Sequence, residues 1–225
     1  MKTKSTVILG ATLLCAGAAG LYGYRLHAEK SELGAIRPAV NLTTAYLSQI
    51  LKIDIDPGGM TYGELFEKAD RAISEIDKKQ IEIKSQEISY AKSGAALALD
   101  YMNASQDVIR YESAKYRHLH DVETSLKDGR LALNEMTSTS NPYTRTYASG
   151  RADKALHNAE EAGQDLRTTT KDLRAALEKV NTLSVNVVTT FNTSDDPAAD
   201  IAKVVAKNAD HPTAASAGSA NSAGR

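Results

Sequence analysis

The sequence contains no tryptophan, only two phenylalanines and a single cysteine among its 225 residues. Thick globular cores need many bulky side chains, so a chain whose apolar content depends heavily on alanine favours a thin, elongated body. Cys15 lies inside an uncharged apolar stretch, which leaves the rest of the chain without a thiol. Disulfide bonds, cysteine-bound zinc and a cysteine nucleophile are therefore excluded from the body of the protein.

An excess of charge of either sign is also missing, because 27 basic residues stand against 28 acidic ones. Nucleic acids select basic surfaces, so this balance argues against a nucleic-acid partner. The sequence has no nucleophile elbow, no glycine-rich phosphate loop and no His-Glu-x-x-His zinc motif. We therefore expect no enzyme activity, no cofactor, no metal and no small-molecule substrate.

One long uncharged run, residues 6–24, follows a start that carries Lys2 and Lys4. As a helix it would be about 28 Å long, enough to cross the hydrocarbon core of a membrane. The lysines favour a short cytoplasmic N-terminus, residues 1–5, and a body exported to the periplasm or the cell exterior. The alternative is a signal peptide cleaved near Ala18, which would leave a secreted protein. Both interpretations place the body on the far side of a membrane.

Small residues recur at every fourth position of this run, at Ala11, Cys15, Ala19 and Gly23. Such a smooth helix face allows another helix to approach closely, and it would suit self-association in the membrane. Alanine and glycine are also common in leaders and spans for compositional reasons. Contact with the membrane through residues 6–24 is the firmer expectation, and self-association or a protein partner remains open.

Beyond Arg37 and Pro38, apolar residues at four-residue spacing predict a short helix over residues 39–52. It is followed by a turn at 54–59, which contains one proline and two glycines. Asp54 and Asp56 resemble the start of a calcium loop, but the later ligands of such a loop are missing. Thr61 and Glu64 form a capping box, which predicts the start of the next helix.

That helix is predicted over residues 62–136, where apolar residues recur in steps of three and four from Phe66 to Tyr111 and no proline intervenes. If continuous, it would be about 110 Å long; a bent helix is the alternative. The stretch 94–99 is apolar on most sides, so we expect either the most buried part of the helix or a close crossing with another helix.

Residues 138–142 predict a turn, because Ser, Thr and Asn favour non-helical backbone and proline disfavours helix in the residue before it. A second seam of alanines, then leucines and valines, follows over 147–191. The two seams predict an elongated antiparallel hairpin with coiled-coil character within an exported domain, residues 25–192. A short helix is expected within 193–210, and the Ala, Ser and Gly tail 211–225 is expected to be disordered. The fold class is therefore all-α.

Two His-x-x-Glu units, at His120 and His157, would lie at similar heights on facing helices of such a hairpin. Carboxylate-bridged metal sites in bundles use paired His and Glu residues. Here the histidine precedes the glutamate, and both histidines fall outside the apolar seams. We interpret them as surface residues.

These observations favour a membrane-anchored, exported helical module of the cell envelope with a structural or assembly role. Two alternatives stay open. One is a sensor-like helical module that binds a ligand, and the other is a secreted effector whose apolar start inserts into a target membrane.

Overall fold

The computed structural model describes the backbone of residues 3–56, 58–193 and 197–209. It describes side chains for residues 22–56, 58–193 and 197–206. These residues form five helices and no strand, which confirms the all-α prediction. The helices are α1 (Thr3–Ile55), α2 (Tyr62–Ser85), α3 (Lys92–Ser138), α4 (Pro142–Phe191) and α5 (Ala198–Ala209).

Helix α1 is longer than the sequence predicted, because it continues through Pro38 instead of starting again after it. A proline inside a helix removes one backbone hydrogen bond and costs roughly 3 kcal/mol. Its neighbours Ile36, Ala39 and Val40 are buried against other helices, while Pro38 itself is exposed. Tertiary packing therefore outweighs the local penalty, and the expected boundary between residues 24 and 25 falls inside a helix.

The prediction of one helix over residues 62–136 is wrong, because this stretch forms two helices. Helix α2 ends at Ser85, and after a connection at residues 86–91 the chain folds back into α3. Folding back brings Ile76 and Ile83 of α2 into the same core as Val108 of α3. One long helix and two antiparallel helices carry the same periodicity, so the apolar pattern alone does not separate them.

The predicted start of α2 is confirmed. Thr61 is its N-cap, and its side-chain oxygen accepts the backbone N–H of Glu64 at 3.3 Å. The Glu64 carboxylate accepts the backbone N–H of Thr61 at 2.9 Å, which completes the capping box. Two amides of the first turn that have no helical partner are satisfied in this way.

Helices α3 and α4 form the antiparallel pair expected from the two seams, and they make the most extensive contact between helices. The turn lies at residues 139–141, where Asn141 caps α4 by accepting the N–H of Tyr143 at 3.0 Å. Near the turn, Arg151 pairs with Glu135 at 3.1 Å. At the other end of the pair, a methyl group added to Gly94 would lie 3.8 Å from Thr190.

Helices α1, α2 and α5 pack around the ends of α3 and α4 that lie far from the turn, and we call this region the base bundle. Helix α1 runs parallel to α3, because Leu33 meets Gly94 and Asp54 meets Lys115. The N-terminal half of α1 therefore extends away from the turn. From Leu33 back to Thr3 this amounts to about 45 Å of helix.

Among the described residues, α2 reaches furthest toward the turn, where the ring of Tyr62 contacts that of His120. Beyond this level, α3 and α4 are the only described elements that continue. We call residues 124–160 the distal hairpin. It extends about 22 Å past the base bundle.

The expected close crossing near residue 94 is present. A methyl group on Gly94 would overlap the side chain of Leu33, so α1 approaches the backbone of α3 closely at this point. The stretch 94–99 is not the most buried part of α3, because Ala96 is exposed while nearly every residue from Tyr101 to Ile109 is buried. Helix α5 agrees with the expected short helix and buries Ile201 and Val204. The predicted disordered tail, 211–225, lies outside the described residues.

Candidate functional site

A buried ionic cluster joins the end of α1 to α3 where the base bundle meets the distal hairpin. The ammonium of Lys115 lies 2.5 Å from a carboxylate oxygen of Asp54 and 2.7 Å from one of Glu112. The hydroxyl of Tyr116 donates to the same oxygen of Asp54 at 3.0 Å. Lys115, Asp54 and Glu112 are all buried. Burying charges is costly unless they are paired, so this cluster fixes the position of α1 on α3.

The sequence signal for this cluster was weak. The aspartate pair at 54 and 56 was interpreted as part of a turn, whereas Asp54 belongs to α1 and faces the core. Lys115 occupies the position where the apolar spacing that runs from Phe66 to Tyr111 would continue. A lysine at an expected apolar position indicates a buried partner, but nothing local identifies that partner as Asp54, 61 residues earlier.

Two tyrosines line a groove beside the cluster. The groove has a volume of about 290 Å³ and is lined by Ile53, Gly59, Met60, Thr61, Tyr62, Leu65 and Tyr116. Burial raises the pKa of Tyr116 well above its usual range, and the nearby charge of Asp54 raises it further. Burial also raises the pKa of Tyr62, which is hydrogen-bonded to Glu123. Both hydroxyl groups already donate to carboxylates, that of Tyr116 to Asp54 and that of Tyr62 to Glu123, so the groove offers a mainly apolar wall.

A polar network fixes the register of α2 on α3. Gln80, one of two polar interruptions in the apolar seam, is buried and donates to Asn103 and Gln106 at 3.0 Å each. Gln106 in turn donates to the carboxylate of Asp77 at 2.7 Å and to the carbonyl of Ile73 at 3.2 Å. Buried amides are costly unless they are bonded, so a shift of α2 along α3 would break several bonds together.

Glu32 of α1 caps the start of α3 from a distance. Its carboxylate accepts the backbone N–H groups of Ser89, Tyr90 and Ala91 at 3.2, 2.9 and 2.7 Å. These bonds lower the pKa of Glu32, the bond from Ala91 contributing most. Ala91, the N-cap residue itself, supplies no side-chain cap. Glu32 therefore satisfies the N-cap amide of α3 and the two amides before it, and so ties this helix start to α1.

The distal hairpin is held together by small side chains. Its buried apolar residues are alanines, namely Ala132, Ala148 and Ala155. Its larger apolar side chains are exposed instead, and they are Leu126, Leu131, Leu133, Tyr143, Tyr147 and Leu156. Half of the exposed large apolar side chains among the described residues thus belong to this short segment, which makes it the candidate contact surface of the molecule.

The two histidines do not come together. His120 lies at the edge of the Tyr62 ring, with centroids 4.9 Å apart, and is half exposed. His157 is exposed on α4 and lies 3.3 Å from Glu161 of its own helix. Within the part of the chain whose side chains are described, no three His, Cys, Asp or Glu residues are grouped as metal ligands would be.

The predicted span 6–24 lies within α1, but residues 6–21 fall outside the residues whose side chains the structure describes. Among the described residues, no helix combines the length and the apolar character that a membrane crossing needs. Tyr22 and Tyr24, at the end of the predicted span, are exposed, and the ring of Tyr24 meets that of Tyr90 edge to face at 6.3 Å.

No protein-family model matches the chain, and neither a curated protein nor a solved structure is significantly similar to it.

Proposed function

We propose that this protein is a non-enzymatic assembly module of the cell envelope, held in a membrane by residues 6–24 and exposing its helical body on the far side. In this proposal the base bundle is the rigid part that holds the distal hairpin in place. The distal hairpin is the part that meets other proteins.

The observation that carries the proposal is that the predicted span and the hairpin turn lie at opposite ends of the molecule. Helix α1 runs parallel to α3, so residues 6–24 and the turn at 139–141 belong to opposite ends. A membrane that held the first end would leave the hairpin pointing away from its surface. Residue 24 lies nine residues before Leu33 and the turn lies 45 residues beyond Gly94, so about 54 residues of helical rise, or roughly 80 Å, separate the predicted span from the turn.

The second support is the contrast in packing. The base bundle buries large apolar side chains from all five helices, whereas the distal hairpin buries alanine and exposes leucine. A region that exposes its largest apolar side chains is typical of a surface that another protein covers.

Fractionation of cells that express the full chain tests the attachment. We expect the protein to stay in the membrane pellet after alkaline extraction and to retain Met1, with its body open to protease from the exported side. Leu14→Lys, inside residues 6–24, should release it, and the control Leu26→Lys, just outside them at an exposed position, should not. A chain with Met1 that dissolves at alkaline pH contradicts the proposal, and a chain that starts near Ala19 shows export without anchoring.

The groove beside Tyr62 and Tyr116 favours a second candidate, the sensor-like ligand-binding module. Its volume of about 290 Å³ is at the small end for a ligand site, and its mainly apolar walls include Tyr62 and Tyr116. A small aromatic molecule would fit this chemistry. A screen of such compounds by thermal shift, with Tyr62→Ala as the control, tests it, and no stabilisation by any of them would remove the candidate.

A further inference from the structure

We propose that the distal hairpin binds a second copy of this chain through one side, the leucine side, on which Leu126, Leu133 and Leu156 lie. The inference rests on the proposed function and names the partner of the assembly module. The two hairpins would then form a four-helix bundle beyond the base bundle.

The leucine side continues a face that the base bundle already covers. Residues at seven-residue intervals share a helix face when two helices pack along a seam. On α3 this row is Ala98, Ser105, Glu112, Leu119, Leu126 and Leu133. On α4 it is Phe191, Ser184, Leu177, Thr170, Gly163 and Leu156. In each row the three members nearest the base are buried, and the exposed members lie toward the turn.

The elements that cover this face end before the turn. Helix α1 ends at Ile55, beside the ionic cluster of α3. Among the described helices, only α1 and α5 contact α4 besides α3. Near the turn the same face therefore loses its cover, and there its row on α3 consists of leucines. An established interface between helices thus continues onto residues that the described chain leaves open.

The opposite side of the hairpin differs in chemistry. Arg151 and Glu135 pair across it at 3.1 Å, and they precede the seam residues Ala152 and Met136. The exposed leucines Leu126, Leu133 and Leu156 instead follow seam positions, so they project on the other side of the antiparallel pair. Asp121 and Asp128 continue the charged side along α3 and are exposed. Solvent suits this charged side, whereas the leucine side is suited to an apolar contact.

The hairpin also lacks a core of its own. Its buried apolar residues in the seam are alanines, each of which removes little apolar area from water. Two more helices on the leucine side would enclose Leu126, Leu133 and Leu156 and supply the missing apolar core. Helix pairs of this length are otherwise marginal in water.

Charge favours a second copy over a strongly charged partner. Exposed charged residues flank the leucines at helical spacing, namely Glu123, Arg130, Asp153, Glu160 and Arg167. They carry both signs, so the rim does not repel another copy of itself as a single-sign rim would. A two-fold symmetric contact requires such a self-compatible surface. A nucleic acid or an anionic lipid surface would instead select a basic rim.

Sedimentation of the purified full chain in mild detergent tests the inference with matched variants. Leu126 and Leu131 are both 53% exposed on α3 but lie on different sides. We expect a concentration-dependent dimer that Leu126→Glu weakens at least tenfold and Leu131→Glu leaves unchanged. Helical circular dichroism establishes that both variants fold.

A cross-linking experiment supplies a second readout. With Cys15→Ser as the background, Arg130→Cys on the leucine side should link two copies through a short bismaleimide, and Asp128→Cys on the charged side should not. A dimer that is insensitive to Leu126→Glu, or linked equally through both positions, overturns the inference. A chain that is always monomeric but crosslinks to a different protein in membranes also overturns it and leaves the proposed function standing. A monomer that crosslinks to nothing defeats both.

Discussion

Helices α3 and α4 run through both the base bundle and the distal hairpin, but the side chains that fill the space between them differ in the two regions. In the base, α4 contributes large buried side chains, including Leu173, Leu177 and Phe191. In the distal part the same helix contributes Ala148 and Ala155. The periodicity of the seam is continuous, so the spacing of apolar residues sets which face packs, and their volume decides how strongly it packs.

This contrast indicates a division of roles. The base bundle buries its large apolar side chains and pairs buried polar groups in the ionic cluster and the Gln106 network. The distal hairpin leaves its largest side chains in solvent. Paired substitutions, one in each region, test whether the division holds.

The largest difference is expected for ion pairs. Lys115→Met leaves the carboxylates of Asp54 and Glu112 buried without their cation, and we expect a loss of about 3–5 kcal/mol in the free energy of unfolding. Arg151→Met removes the exposed pair with Glu135 and should cost less than about 1 kcal/mol. Urea titrations followed by helical circular dichroism measure both. Equal losses would show that the cluster is solvated and does not hold α1.

Two leucines on one row of α4 give the next comparison. Leu177 is 1% exposed and Leu156 is 58% exposed. Leu177→Ala removes a buried side chain and should cost about 2–5 kcal/mol, because it leaves a cavity in the base. Leu156→Ala should cost under about 1 kcal/mol in dilute monomer. The same urea titrations at low protein concentration measure both losses. A loss for Leu156→Ala as large as that for Leu177→Ala would mean that the distal hairpin already has a core.

Replacing two glycines of α3 by alanine should change the stability by smaller amounts, and not in the same direction at both positions. A methyl group on Gly129 would lie 3.5 Å from that of Ala155, an ordinary contact, whereas one on Gly94 would overlap Leu33. Alanine is the better helix former by roughly 0.5–1 kcal/mol. We therefore expect Gly129→Ala to stabilise the protein by about that amount and Gly94→Ala to gain nothing or to destabilise it. Thermal melts of both variants provide the comparison, and a Gly94→Ala gain equal to that of Gly129→Ala would refute the close crossing.

The smallest effect concerns pH. The backbone hydrogen bonds hold the pKa of Glu32 below its ordinary value, so its contribution to stability is complete above that ordinary value. The contribution is lost as the pH falls through the lowered pKa, when the carboxyl takes up a proton. Hydrogen exchange at the amides of Tyr90 and Ala91 should therefore accelerate on acidification, after correction for intrinsic rates. Glu32→Gln should already exchange faster at neutral pH and lose the dependence, and an unchanged profile in that variant would exclude the cap.

Much of the fold follows from local signals. The turn at 139–141, the capping box at Thr61 and the seam of α4 are set by residues close in sequence, and the structure contains all three. The break at residues 86–91 was missed because its stabilising group, Glu32, lies more than 55 residues away. The continuation of α1 through Pro38 was missed for a similar reason, since buried neighbours offset a local penalty.

The candidate contact surface was only partly predictable. Small side chains allow two helices to approach closely, and Gly129 and Ala155 are neighbours where the second seam consists of alanines. Leu119, Leu126 and Leu133 recur every seven residues, which places them on one face of the helix. Their exposure depends on where α1 ends and on how α2 folds back. No local sequence pattern predicts these two features. The ionic cluster depends on the same long-range contacts.

Hydrogen exchange of the full chain at two protein concentrations, above and far below its self-association constant, tests the central claim most directly. We expect the amides of α3 in the base, from Tyr101 to Lys115, to be equally protected at both. The amides from Leu126 to Leu133 should be protected only at the higher concentration. Equal protection of both stretches at every concentration would contradict the account, because the distal hairpin would then be stable without a second copy.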